Sequence, residues 1–80
     1  MYYVYLLKSL HFPDKIYVGY TADLKKRFAT HNAGGSIHTA KYKPWELVMY
    51  LGFAEKVKAA EFEKYLKSQS GRVFIRKRFV

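Results

Sequence analysis

Tyr2 to Leu7 is an unbroken run of aromatic, β-branched and leucine residues. Ile16 to Tyr20 repeats that chemistry, and His11-Phe12-Pro13-Asp14 supplies turn residues between the two runs. This arrangement commits the start of the chain to a β-hairpin. Side chains alternate across a strand, so Tyr3, Tyr5 and Leu7 share one side of the first strand, while Tyr17 and Gly19 share one side of the second. A register that puts Tyr5 and Tyr17 on the same face brings two phenols together beside a glycine gap.

After the hairpin, Thr21 is the expected N-cap of a helix with Asp23 in its first turn, and the helix should run to about Asn32, where Ala33-Gly34-Gly35 stops it. Leu24 and Phe28 mark the buried stripe. Arg27 and His31 lie one turn apart on a neighbouring stripe and can reach one common ligand, whereas Lys25 and Lys26 fall on the exposed side. Gly35 to Lys43, with His38, Lys41, Tyr42 and Lys43, reads as a mobile basic loop able to fold over a bound strand. Pro44 precedes a third strand, Trp45 to Phe53, with Trp45, Leu47, Met49 and Leu51 expected inward. A second helix is expected from Glu55 to about Lys67, broken by Ser68-Gln69-Ser70-Gly71. Arg72 to Phe79 then reads as a short basic helix or an extended tail. No repeat, linker or low-complexity segment divides residues 1–80, so one domain is expected.

A chain of 80 residues, 50% of them apolar, can build one core but buries only about 60 to 65% of its unfolded surface. The expectation is a shallow site on an open face, suited to a polymer lying across it. Fifteen Lys and Arg against six Asp and Glu give a net charge of +9, which calls for an anionic partner. Nucleic acid is favoured over a membrane, because the basic residues are interleaved with eight tyrosines, six phenylalanines and one tryptophan. Nor does any stretch approach the ~20 apolar residues of a bilayer span. The absence of cysteine excludes disulfides and cysteine-based zinc sites. The first residues, Met1-Tyr2-Tyr3-Val4-Tyr5-Leu6-Leu7, carry neither a basic leader nor a small-residue cleavage site, so a cytoplasmic location is expected.

Among the six carboxylates, Asp14 sits in a turn, Asp23 and Glu55 open helices, Glu46 lies on a strand's polar face, and Glu61 has Lys58 and Lys64 at helical spacing. Glu63 differs: its helical neighbours are Ala59, Ala60, Leu66 and Lys67, a stripe that faces the protein. A carboxylate there needs a metal or a cationic partner, or else forms a surface pair with Lys67. Arg27, His31, Glu63 and the phenols of Tyr5 and Tyr17 together are the residue types that phosphodiester cleavage requires. A guanidinium holds phosphate oxygens, a carboxylate holds magnesium, and a phenol or imidazole takes a proton from water.

Taken in order, Tyr3-Val4-Tyr5, Tyr17-Val18-Gly19, Arg27, His31-Asn32, Pro44-Trp45-Glu46-Leu47-Val48 and Glu63-Lys64-Tyr65-Leu66-Lys67-Ser68 resemble the GIY-YIG nuclease superfamily over nearly the whole chain. The resemblance is strongest to its small standalone UPF0213 group, similar to the nuclease part of the excision-repair endonuclease C subunit. It implies an α+β fold with a three-stranded antiparallel sheet flanked by helices, in the order ββαβα with a short C-terminal helix. It also implies a metal-dependent DNA endonuclease, acting in repair or recombination, with one Mg2+ or Mn2+ on Glu63. Tyr5 and Tyr17 become the motif tyrosines, Arg27 the transition-state cation, His31 a proton-transfer residue, and Gly19 the motif glycine. The chain departs from the pattern at three points: Tyr3 replaces the first motif glycine, Tyr20 replaces a lysine, and no asparagine follows Glu63. A nucleic-acid-binding module of low or no turnover on the same scaffold is the alternative reading. In either case Lys25, Lys26, Lys41, Lys43, Arg72, Arg76, Lys77 and Arg78 are the expected grips on DNA, with RNA left open, and a homodimer or a partner protein is a further expectation.

Overall fold

The computed structural model describes residues 1–80. In chain order it contains β1 (Tyr2–Ser9), β2 (Ile16–Thr21), α1 (Leu24–Asn32), α2 (Ile37–Ala40), β3 (Trp45–Phe53), α3 (Lys56–Lys67) and α4 (Gln69–Arg78). The expected α+β order is present with one added element, the single turn of α2. Both pairings of the sheet are antiparallel, in the spatial order β2-β1-β3. The central place of β1 explains its composition. Val4, Tyr5, Leu6 and Leu7 are all at most 1% exposed, as a strand covered on both faces requires.

One face of the sheet carries Val4, Leu6 and Val18 against Ala59 and Leu66 of α3 and Ile75 of α4. The other carries Tyr5, Leu7 and Trp45, with Leu24 and Phe28 of α1 packed over them. A bulge in β3 joins the two patterns: Leu6 lies opposite Met49 and Leu7 opposite Leu47, so Val48 is the extra residue. Because one inserted residue reverses the face of everything after it, Trp45 and Leu47 turn toward Tyr5, while Met49 joins the cluster around Leu6. The single inward stripe expected along β3 is therefore split, and Leu51 is 45% exposed.

Asp23 is the N-cap of α1, its carboxylate accepting from Lys26 N–H at 3.1 Å. Thr21, the expected cap, instead accepts from Asp23 N–H at 3.1 Å and fixes the turn just ahead of the helix. Gly34, in the left-handed region at φ +81°, ends the helix as expected. Residues 35–43 are folded rather than a free flap. Thr39 of α2 is buried, Ser9 Oγ donates to Tyr42 O at 2.6 Å, and Trp45 Nε1 donates to Thr39 O at 2.9 Å. Between α3 and α4 the break is confined to Ser68, whose hydroxyl accepts from Gly71 N–H at 3.1 Å and starts the next helix at once. Gln69, Ser70 and Gly71, expected as breakers, are thus helical, and the basic terminus is a helix to Arg78. A Cβ on Gly71 would overlap the backbone of Tyr65 and Leu66, so only glycine lets α4 pack this close to the end of α3.

Candidate active site

The hairpin register sets Tyr5 opposite Gly19 and Leu7 opposite Tyr17, so both motif phenols stand on the α1 side of the sheet as diagonal neighbours. Their ring centroids are 6.3 Å apart. Gly19 is needed at this crossing because a Cβ there would sit 2.5 Å from Tyr5 Oη. The missing side chain leaves the space in which the Tyr5 phenol lies.

From above, α1 delivers His31, which is fully buried and within hydrogen-bond distance of Tyr5, with Oη to Nε2 at 2.9 Å. Its ring also lies 4.9 Å from the ring of Tyr17. On the far side, His31 Nδ1 meets Thr39 Oγ1 at 2.8 Å, and Thr39 Oγ1 points its own proton toward Ser36 O at 3.5 Å. These partners assign the protons: Nδ1–H donates to Thr39, and Nε2 accepts from the phenol of Tyr5. Burial, and secondarily the Arg27 charge, push the His31 pKa below the usual imidazole value, in keeping with a neutral acceptor ring. The Tyr5 phenol is driven well above the usual phenol range, first by burial and then by Tyr17. Glu63 adds to that rise, and Arg27 opposes it. At rest Tyr5 therefore holds its proton, and Arg27 alone does not make it a base.

Arg27 lies on the exposed side of α1 and lines an open depression of about 290 Å³ with Thr21, Asp23, Lys26 and Thr30. It has no carboxylate partner, since the ion pair of the molecule is Glu63 with Lys67. Glu63 projects from α3 with its side chain 19% exposed, and its carboxylate meets Lys67 Nζ at 3.1 Å. The two readings of Glu63 thus coexist: it faces the protein and it is paired. Lys67 Nζ in turn hangs 5.9 Å from the centre of the Tyr17 ring, so a cation stands in the site although Tyr20 has replaced the lysine of the motif.

Of the expected grips, Lys25 and Lys26 directly precede Arg27 on α1, and Arg72 lines a second depression with Tyr17 and Lys67. Lys41 and Lys43 follow α2, with Lys41 Nζ 5.8 Å from the Tyr42 ring centre and Lys43 Nζ beside Gly34. Arg76, Lys77 and Arg78 occupy the last turn of α4, on the helical layer behind the sheet. Asn32 is committed elsewhere: its side chain accepts from Trp45 N–H and donates to Trp45 O, fastening the end of α1 to β3. Tyr50 is 57% exposed. Thr39 gave no signal in the sequence, because its role depends on a partner brought in by folding.

A buried tyrosine–histidine pair over a glycine gap, with an unpaired arginine on one side and a shielded glutamate on the other, defines a class. Residues 1–78 match the GIY-YIG catalytic domain, and the chain belongs to that family. Within it, the chain is 42% identical over 72 residues to a UPF0213 protein of Streptococcus pyogenes serotype M3, covering 88% of this chain and 75% of that one. It is 38% identical over 73 residues to the structure-specific endonuclease subunit SLX1 of Candida dubliniensis, covering 82% of this chain but 26% of that protein. The SLX1 homolog of Giardia intestinalis is 37% identical over 65 residues, covering 76% of this chain and 18% of that one, so the chain spans about a fifth to a quarter of these nucleases. The solution structure of a UPF0213 protein from Bacillus halodurans superposes with a TM-score of 0.57 at 30% identity, covering 96% of this chain and 84% of that one.

Proposed function

We propose that the chain is a divalent-metal-dependent endonuclease that hydrolyses phosphodiester bonds in DNA, in the cytoplasm, in repair or recombination. The observation that carries this reading is the Tyr5–His31 hydrogen bond at 2.9 Å, beside an arginine free to take a phosphate. Arg27 would hold the equatorial oxygens of the scissile phosphate through its fork of donors, opposing the charge that gathers there. Water would lose its proton to Tyr5 Oη as the phenol passes its own to His31 Nε2, leaving an imidazolium held by Thr39. A neutral His31 is the acceptor this relay needs. Tyr17 closes the pocket at its partly exposed edge.

No group of three or more acidic, histidine or cysteine side chains is placed to cage a metal. The donor set therefore fits an ion held by one carboxylate, waters and the substrate's own phosphate, as magnesium commonly is. Glu63 is the residue that would hold it, on release from Lys67. A divalent ion, when bound, supplies charge neutralisation at the phosphate and leaving oxygen. The naming of two relatives as subunits of a structure-specific endonuclease favours a substrate chosen by DNA structure, with branched or nicked DNA the first to test, and action with a partner protein.

The test is cleavage of branched, nicked and single-stranded DNA with and without magnesium, by the wild type and by Glu63→Ala and Arg27→Ala. Metal-dependent cleavage lost in both variants supports the reading. Tight binding with no cleavage in any condition assigns the chain to the non-catalytic alternative.

A further inference from the structure

On the sheet face that carries Tyr5, an open groove of about 550 Å³ runs between α1 and the pairing of β1 with β3. Leu24 and Phe28 form one wall, Leu47 lies in the floor, and Tyr3 and Tyr50 form the opposite lip. The two tyrosines meet edge to face, with centroids 6.0 Å apart and planes at 69°, and Tyr50 remains 57% exposed. Lys25 stands on the rim; Asp23 also lines the groove, but its Oδ1 is engaged by Lys26 N–H at the start of α1. The bulge at Val48 is what turns Tyr50 onto this face, where it becomes the cross-strand partner of Tyr5.

We propose that this groove is a subsite for one unpaired nucleobase, stacked on Tyr50 and Tyr3, in the strand whose phosphate Arg27 holds. The inference deepens the nuclease reading and rests on it. Three observations select this occupant. The groove adjoins the depression that Arg27 lines, since Asp23 lines both and α1 supplies the wall of the one and Arg27 to the other. Its rim carries one lysine and one aspartate on a chain of net charge +9, and the field of the whole chain is what draws a polyanion and repels a basic peptide. Its lip is aromatic and solvent-facing, as stacking platforms for single strands are. A base within an intact duplex is already stacked and cannot enter, so the subsite selects nicks, flaps and single strands over continuous duplex.

The experiment measures DNA affinity by fluorescence anisotropy without divalent ions, so that cleavage plays no part. Wild type, Tyr50→Ala and Tyr50→Phe are compared on a short single strand, the same strand with abasic positions, and a continuous duplex. Tyr50→Ala is expected to weaken single-strand binding about tenfold, and Tyr50→Phe to retain it, because one stacked base is lost only in the first. Duplex affinity should change less than about twofold, and abasic strands should bind wild type and Tyr50→Ala alike. A 2-aminopurine in the single strand should be quenched by wild type and not by Tyr50→Ala. Equal loss on strand and duplex, no loss on either, or no single-strand binding by wild type overturns the subsite. Since every readout is binding, absence of cleavage would sink the nuclease reading separately, and unchanged affinity in a Tyr50→Ala protein that still cleaves would sink the subsite alone.

Discussion

Two residues set the chemistry of the site through what they lack. Gly19 lacks the Cβ that would reach Tyr5 Oη, and buried His31 lacks a charge. Gly19→Ala should displace the phenol and lengthen the Tyr5–His31 hydrogen bond, lowering kcat on the order of 100-fold while costing about 1–3 kcal/mol of stability. Cleavage kinetics paired with thermal melts would check both numbers. For His31 the sign follows from burial: its pKa is lower in the folded chain than in the unfolded one, whose ordinary value is about 6.5. The unfolded chain therefore takes up the proton first as pH falls. The stability contribution is present above about pH 6.5 and is lost as pH drops toward the folded value. Melting temperature should decline from pH 7.5 to 5.5 in the wild type, and more shallowly in His31→Gln.

At the scale of elements, the site depends on how α1 and α2 are tied to the sheet. Asn32 holds the backbone of Trp45 from the end of α1, and the Trp45 ring holds Thr39 of α2, so one residue of β3 aligns both helices over Tyr5. Asn32→Ala would strand the Trp45 N–H and C=O away from water. A loss of about 1–3 kcal/mol is expected in denaturant titration, with a fall in activity because His31 is the neighbouring residue. The spans of α1 and α3 and the hairpin were legible in the sequence because each is governed by local periodicity, turn chemistry and propensity, whereas α2 and the start of α4 at Gln69 were not. The β3 faces were not: a bulge is a property of the pairing, and Val48 carries no mark that distinguishes it from Leu47 or Met49. Thr21 and Asp23 are both good capping residues, and only the helix's first free N–H groups decide between them in favour of Asp23. The folding of residues 35–43 was equally hidden, since it depends on Ser9 and Trp45 as partners from other elements.

Over the whole molecule, the charge of +9 is spread across both helical layers. Lys25 and Lys26 lie on the α1 side, while Arg72 beside Lys67 and the terminal Arg76, Lys77 and Arg78 lie on the α4 side. A strand held between Arg27 and Arg72 would neutralise its phosphates on both. Plots of log affinity against log salt should therefore be steep, and Arg72→Ala should flatten the slope by about 0.7 to 0.9, one phosphate contact. An unchanged slope would place Arg72 outside the DNA path. No helix is long and apolar enough to cross a membrane.

By itself the sequence determined the α+β order, the hairpin, the helical phase that sets Arg27 one turn before His31, and the family to which the chain belongs. These follow from neighbours in the chain and from short motifs. Only the tertiary structure decided that Tyr5 meets His31 across 26 residues, that Thr39 orients the imidazole, and that Lys67 holds Glu63 beside the phenols. The physical reason is that a hydrogen bond between distant residues depends on register, crossing and burial together, and each of those is fixed by the packing of the whole chain rather than by the residues that share the bond.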